Sequence, residues 1–312
     1  MEKRRIGSLE VSVVGLGCNN FGWRLDAVAT AKVVQAALDA GINFFDTADV
    51  YGGTQSEEFL GRALGKRRDD VVIATKFGMP VDAERRGAKP EYVQRAVEDS
   101  LRRLGTDHID LYQIHRPDPE TPIADTLEAL DKLVRAGKVR EIGCSNFSAD
   151  QIREAEAAVR EGAARFVSVQ NEYSLLHREP EPEVLPECER RGLAFLPYFP
   201  LASGLLTGKY RRGQPAPEGS RLGGGGRFAR FLPKFFTDPK LVTVEPLLEF
   251  AASRRHTLLE LAISWLAARP TVASVIAGAT SPAQVKGNAA AANWRLTAAE
   301  LAAIDKIDLP PH

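Results

Sequence analysis

The segment VVIATKFGMPVDAERRGAKPEYVQRAVEDSLRRLGTDHIDLYQIH, Val71 to His115, sets the architecture of the chain. It begins with a β-branched apolar run, Val71–Thr75, that stops at Lys76. Pro90 opens a helical pattern with Tyr92, Val93, Ala96, Val97, Leu101 and Leu104 on one face, and Gly105 closes it. A second strand, Ile109–Ile114, ends in His115. Short strands rich in apolar residues, joined by an amphipathic helix, indicate a parallel sheet buried on both faces and a right-handed crossover.

The same unit extends in both directions. Upstream, Arg4 to Val14 reads as a hairpin turning at Gly7-Ser8, and VVGLGCNNFG reads as a strand entering a Gly- and Asn-rich loop. Asp26–Ala40 is a helix stopped by Gly41, and Asn43–Phe45 a strand delivering Asp46. Ser56 is the expected cap of a helix carrying Phe59, Leu60, Ala63 and Leu64. Downstream, Thr121-Pro122 starts a helix that Gly137 ends, and Val139–Cys144 is a strand ending in Ser145-Asn146. Ser148 with Gln151 forms a capping box. Phe166–Val169 leads to Gln170 and Leu193–Pro197 to Tyr198; Thr271–Ala277 precedes a helix capped by Ser281 and Gln284.

The repeat, Asp46 to Lys76 and His115 to Ser145, is about 30 residues, the size of one crossover unit. An open doubly wound sheet and a closed barrel both satisfy it; eight strands favour the barrel. The expectation is an α/β chain of one domain, residues 1–312, forming a (β/α)8 TIM barrel with an N-terminal β-hairpin. The stretch from 200 to 239 breaks the rhythm with Lys209, four glycines at Gly223–Gly226 and an Arg/Phe-rich run to Phe236. A connection this long after strand seven is expected to overhang the rim as a lid or binding loop.

Composition narrows the function classes. Lys plus Arg and Asp plus Glu are both 41 in 312 residues, which supplies no basic surplus for nucleic acid or an anionic membrane. The start, MEKRRIGSLEV, has no apolar signal core, so a cytoplasmic protein is expected. Cys18, Cys144 and Cys188 are odd in number and form no CxxC, as expected of reduced thiols, with Cys18 near the mouth within reach of oxidants. The histidines have no paired spacing, so no metal site is expected.

In a barrel all strands point their C-terminal ends to one face. Asp46, Lys76, His115, Asn146, Gln170 and Tyr198 all stand at strand ends. Each alone has a structural explanation as a salt-bridge partner, a rim lysine or a hydrogen-bonded core histidine; six around one mouth form a site. Trp265 and Trp294 sit on helical patterns and are expected in the core.

DTADVYG followed by SEEFLGRAL, then ATKFG, LYQIHRPD, IGCSNF, VQNEYSLL, YFPLASGLLTGKY and AGATSPAQV resemble the aldo-keto reductase superfamily, in order and over nearly the whole chain. The HRPDPETP and YFPLASGLLTGKY stretches are most similar to the bacterial branch related to potassium-channel β subunits. The resemblance implies a (β/α)8 barrel, reduction of aldehydes or ketones with NAD(P)H, and a catalytic tetrad of Asp46, Tyr51, Lys76 and His115, with Tyr51 as the general acid. A lysine ammonium about 4 Å from a phenolate at an effective dielectric near 20 interacts by about 4 kcal/mol, so Lys76 is expected to depress the Tyr51 pKa.

The same resemblance implies a nicotinamide site. Ser145, Asn146 and Gln170 would hold the carboxamide and Tyr198 would stack on the ring. Gly17, Asn19 and Asp46 would lie beside it, and the diphosphate under Leu201, Gly204 and Lys209. The adenosine end would meet Gly278, Thr280, Ser281, Gln284 and Asn288 at a helix N-terminus. Trp23 and Phe77 would line the substrate pocket, and Asp49 is a further candidate there. GLGCNNFG lacks the spacing of a Rossmann fingerprint. Thr280 stands where many members carry the Arg or Lys that pairs with a 2′-phosphate. Lys286 or a loop arginine is a substitute, which leaves NADPH the expected cofactor and NADH the alternative. Two rival functions remain: a nicotinamide-binding regulatory subunit with slow turnover, and a Schiff-base aldolase using Lys76.

Overall fold

The computed structural model describes residues 1–211, 214–217 and 238–307. Ten strands are formed: β1 (Lys3–Ile6), β2 (Leu9–Ser12), β3 (Val14–Gly17), β4 (Phe44–Asp46), β5 (Val72–Phe77), β6 (Ile109–Ile114), β7 (Val139–Ser145), β8 (Phe166–Glu172), β9 (Ala194–Tyr198) and β10 (Val275–Gly278). The last eight make one parallel sheet in the order β10-β3-β4-β5-β6-β7-β8-β9. The segment before β10 closes the ring: Phe195 N–H donates to the Thr271 carbonyl at 2.7 Å, and Ala273 N–H to the Phe195 carbonyl at 3.0 Å. The fold is a (β/α)8 TIM barrel.

Among the described residues ten α-helices surround it: α1 (Ala27–Asp39), α2 (Gln55–Leu64), α3 (Pro90–Leu104), α4 (Ile123–Arg135), α5 (Ala149–Ala157), α6 (Val184–Arg191), α7 (Asp238–Ser253), α8 (Leu258–Ala267), α9 (Pro282–Ala290) and α10 (Ala298–Ile304). The pleat sorts each strand's residues between two cores. Ile73, Phe77, Tyr112, Ile114, Ile142, Val169 and Phe195 face outward and pack with the helices. Phe44, Val72, Ala74, Leu111, Leu196 and Ile276 fill the barrel with Ile6, Leu9 and Val11 of the hairpin. The β1–β2 hairpin therefore stoppers the N-terminal end. Arg4 anchors it by donating to the Ala267 carbonyl at 2.7 Å, at the end of α8.

The caps behave largely as the residue types require. Asp26 caps α1, Ser148 and Gln151 form the capping box of α5, and Gly41, Gly105 and Gly137 take φ of 78°, 65° and 72°. Ser56 does not cap α2, which begins after Thr54. Its hydroxyl is buried, 2.8 Å from Thr47 Oγ1, and donates to the Cys18 carbonyl at 3.0 Å. The side chain is used to join two strand-end loops instead. Of the 200–239 stretch, the glycine run and the Arg/Phe-rich segment lie outside the described residues.

Candidate active site

Four strand ends converge on one ion pair. Lys76, on β5, is fully buried, and its Nζ lies 2.7 Å from Asp46 Oδ1 at the end of β4 and 2.8 Å from the Thr47 carbonyl. The Tyr51 side chain lies against it, with Nζ 5.2 Å from the ring centroid. His115, the residue after β6, sets its ring edge-on to Tyr51, centroids 5.7 Å apart at 81°.

Tyr51 is carried by a loop that only glycine permits. Gly52 has φ of 61°, and a Cβ there would lie 2.2 Å from the Phe21 carbonyl oxygen. The loop after β3 packs so closely on this turn that position 52 accepts no side chain, and Tyr51 is fixed between that contact and Lys76.

The other half of the mouth is a hydrogen-bonded chain. Gln170 Nε2 donates to Asp46 Oδ2 at 2.8 Å, and Ser145 Oγ donates to the Gln170 carbonyl at 2.7 Å. Asn146, with φ of 62°, donates to the His115 carbonyl at 2.9 Å and accepts from the Tyr198 hydroxyl at 2.7 Å. A cavity of about 680 Å³ spans these residues and continues along Leu201, Gly204 and Lys209 to Gly278, Thr280, Gln284 and Asn288 at the start of α9.

A family model described as "Aldo/keto reductase family" matches residues 13–309. The chain belongs to the aldo/keto reductase family. It is 36% identical over 298 residues to a probable voltage-gated potassium channel subunit beta of Arabidopsis thaliana, covering 92% of this chain and 90% of that protein. It is 35% identical to the aldo-keto reductase YhdN of Bacillus subtilis, covering 96% and 90%. The solved structure of a glycerol dehydrogenase from Gluconobacter oxydans superposes with a TM-score of 0.82 at 33% identity, covering 98% of this chain and 94% of that one. The family is one of NAD(P)H-dependent oxidoreductases. Among the described residues no helix is long and apolar enough to cross a membrane.

The donor set of this aldo-keto reductase fits a nicotinamide dinucleotide. Asn146 Oδ1 keeps a second lone pair beyond its bond from Tyr198, with Ser145 and Gln170 beside it, a set matched to a carboxamide. Phe199, Ala202, Ser203, Gly204 and Gly208 all have positive φ, a backbone run of the kind that turns N–H groups to a concave side where phosphate oxygens can sit.

Protonation departs from expectation at Tyr51. Its pKa is raised above the usual value: burial is the largest cause, and although Lys76 pulls it down, Asp46 pushes it back up. The lysine charge is already neutralised by Asp46, so it cannot overcome the lost hydration. Burial also opposes the charge on Lys76, but Asp46 and then Tyr51 more than offset it and the pKa rises. Lys76 is thus a buried ammonium, not the free amine a Schiff base requires. Burial, then the charges of Lys76 and Arg116, hold His115 well below the usual histidine value, so it is neutral.

Several residues stand elsewhere than expected. Phe77 is fully buried against Tyr112, centroids 4.8 Å apart, and does not line the cavity. Successive residues of a strand face opposite sides, so the neighbour of inward-facing Lys76 must point at the helices. Asp49 is likewise behind the wall, 2% exposed, with Tyr92 donating to it at 3.4 Å. Ser281 is occupied as the cap of α9, while Gln284 accepts from both the amide and the hydroxyl of Thr280; Lys286 does not line the cavity. Cys18 touches the cavity wall but has no exposed surface, and burial pushes its thiol well above the usual range, so it is out of reach of oxidants. Trp265 is core, whereas Trp294 is only partly buried and stacks on His256, centroids 4.0 Å apart. Trp23 does line the cavity, 53% exposed. Asn20, Arg24, Arg116 and Phe199 also line it and were not singled out by the motifs. For Arg116 the signal was available: it directly follows the strand-end histidine.

Proposed function

We propose that this aldo-keto reductase reduces aldehydes or ketones to alcohols, with Tyr51 as general acid and NADPH as the preferred cofactor. The observation that carries the reading is the buried Lys76 ammonium shared by Asp46, the Thr47 carbonyl and Tyr51, beside a neutral histidine.

The bound nicotinamide supplies the hydride. Tyr51, its pKa raised, holds its proton across neutral pH and is in the donor state for reduction. When the proton leaves, the phenolate forms against an ammonium already in place, which is worth most in a water-poor pocket. His115 is neutral, so its ring can donate a hydrogen bond to the carbonyl oxygen without competing as a proton source. Asp46 holds Lys76 and Gln170 together, joining the proton donor to the ring of cofactor-side residues.

Steady-state reduction of a panel of carbonyl compounds, first with NADPH and then with NADH, tests this. Tyr51→Phe should lower kcat by 10²–10⁴-fold, the usual contribution of a general acid, while NADPH titration remains close to wild type. Full turnover in Tyr51→Phe would overturn the assignment.

The similarity to a potassium-channel β subunit supports a second reading, a regulatory subunit that binds the cofactor and turns over slowly. Very tight cofactor binding with negligible kcat on the whole panel favours it.

A further inference from the structure

We infer that the substrate of this site carries an anionic group, carboxylate or phosphate, and that Arg116 reads it with help from Arg24. The inference rests on the reductase reading above and specifies its substrate class.

The first observation is the charge of the cavity wall. Among the described residues it carries the cations Arg24, Arg116 and Lys209 and one carboxylate, Asp46, whose charge is matched by Lys76 behind it. Arg116 and Lys209, neither in an ion pair among the described residues, thus leave the described wall positive. Arg116 is exposed and takes part in none of the ion pairs among the described residues. A guanidinium held at a cavity rim without a partner presents a planar fork suited to carboxylate or phosphate.

The second observation is where that charge sits. In the closed ring β6 lies four strands from β10 whichever way it is followed. Arg116 therefore stands across the mouth from Thr280, Gln284 and Asn288, the end that suits a nucleotide phosphate. Lys209 belongs to that far side, after β9. Arg24 follows β3, the neighbour of β10, on a loop that touches both sides: Asn20 donates to the Ala279 carbonyl at 3.3 Å, and a Cβ at Gly22 would lie 3.0 Å from Gly52 Cα on the turn that carries Tyr51. Tyr51, His115 and Arg116 thus stand together, with Trp23 and Arg24 on the loop that bridges their sector to the far one.

The third observation is that the charge is felt at the reacting groups. Arg116 adds to the effect of burial and Lys76 in lowering the His115 pKa, and it opposes the rise that burial and Glu172 cause at Tyr198. An anion beside Arg116 would thus lie within electrostatic range of the carbonyl position while Trp23 covers the substrate's apolar part.

The test uses two matched pairs with the full-length protein and NADPH: 4-carboxybenzaldehyde against methyl 4-formylbenzoate, and glyceraldehyde 3-phosphate against glyceraldehyde. The expected result is kcat/KM at least tenfold higher for the charged member of one pair; which pair tells carboxylate from phosphate. Arg116→Gln should cut that ratio at least tenfold, through KM for the anion, Arg116→Lys should restore part of it, and Arg24→Gln should cut it less. A wild-type ratio of one or below in both pairs, or a ratio that survives Arg116→Gln, overturns the inference. Should none of the four be reduced, the reductase reading fails instead. Quenching of tryptophan fluorescence, since Trp23 lines the cavity, would then give the affinities of the same pairs in wild type and Arg116→Gln, and the same ratios decide.

Discussion

Gln170 Nε2 donates to Asp46 Oδ2 at 2.8 Å while Lys76 holds Oδ1 of the same carboxylate at 2.7 Å. One buried acid thus couples the Gln170 amide to the ammonium behind the tyrosine.

Gln170→Leu should therefore weaken two measurements at once. A hydrogen bond to a charged group contributes about 1.5–3 kcal/mol, so NADPH affinity and kcat should each fall by roughly tenfold or more. Fluorescence titration and steady-state rates read them separately; a loss of affinity with kcat unaltered would show that Asp46 does not depend on this donor.

Tyr51 sets the direction of the pH profiles. Its pKa lies above the ordinary tyrosine value, so reduction should be flat from pH 6 to about 9 and decline only in stronger alkali. Alcohol oxidation needs the phenolate and should climb through the same range. Paired pH–kcat profiles check this; oxidation that is already maximal at pH 7 would mean a depressed pKa.

Asp49 offers a stability signature. Burial, with the charge of Glu57, raises its pKa to about 7 against the opposing pull of Arg103, and no donor reaches its Oδ1. The unfolded chain releases this proton near pH 4, so between about 4 and 7 the folded state binds more protons and its stability falls as pH rises. The slope approaches 1.4 kcal/mol per unit, roughly that of one proton. His115 acts oppositely below about 6.5, where the unfolded imidazole protonates and the buried one does not. The comparison is therefore wild type minus Asp49→Asn in urea unfolding at pH 5, 6, 7 and 8. That difference should move in the variant's favour up to pH 7 and then level off.

Gly61 marks the tightest helix contact. A Cβ there would lie 2.1 Å from the Leu104 carbonyl oxygen of α3, although Gly61 itself is in ordinary helix. Gly61→Ala should destabilise by about 1–3 kcal/mol or more through overpacking, despite alanine's better helix propensity. Thermal and urea unfolding measure it; a stabilised variant would mean α2 and α3 can separate freely.

The barrel was readable in the chain because parallel strands are buried on both faces and their runs stand out as rich in apolar and β-branched residues, as in Val71–Thr75. Asp46, Lys76 and His115 were readable because each is a polar residue terminating such a run. What failed was whatever depended on facing or on burial. Phe77 follows Lys76 and was read by proximity in sequence, although the pleat sends neighbours apart. Ser56 has the composition of a cap, but the loop from β4 brings Thr47 within reach of its hydroxyl and the helix starts earlier. The Tyr51 pKa went the other way because pairwise attraction can be guessed from residue types, whereas lost hydration depends on a pocket that no motif describes. Arg116 is inconspicuous in the chain because its weight comes from having no ion-pair partner among the described residues, a property of three-dimensional surroundings.

The hairpin stopper, with Ile6, Leu9 and Val11 driven into the bottom of the barrel, shuts that end with apolar side chains. Among the described residues the cavity beside Tyr51 therefore belongs wholly to the C-terminal mouth, and a visitor to the tyrosine meets the loops before it meets the strands.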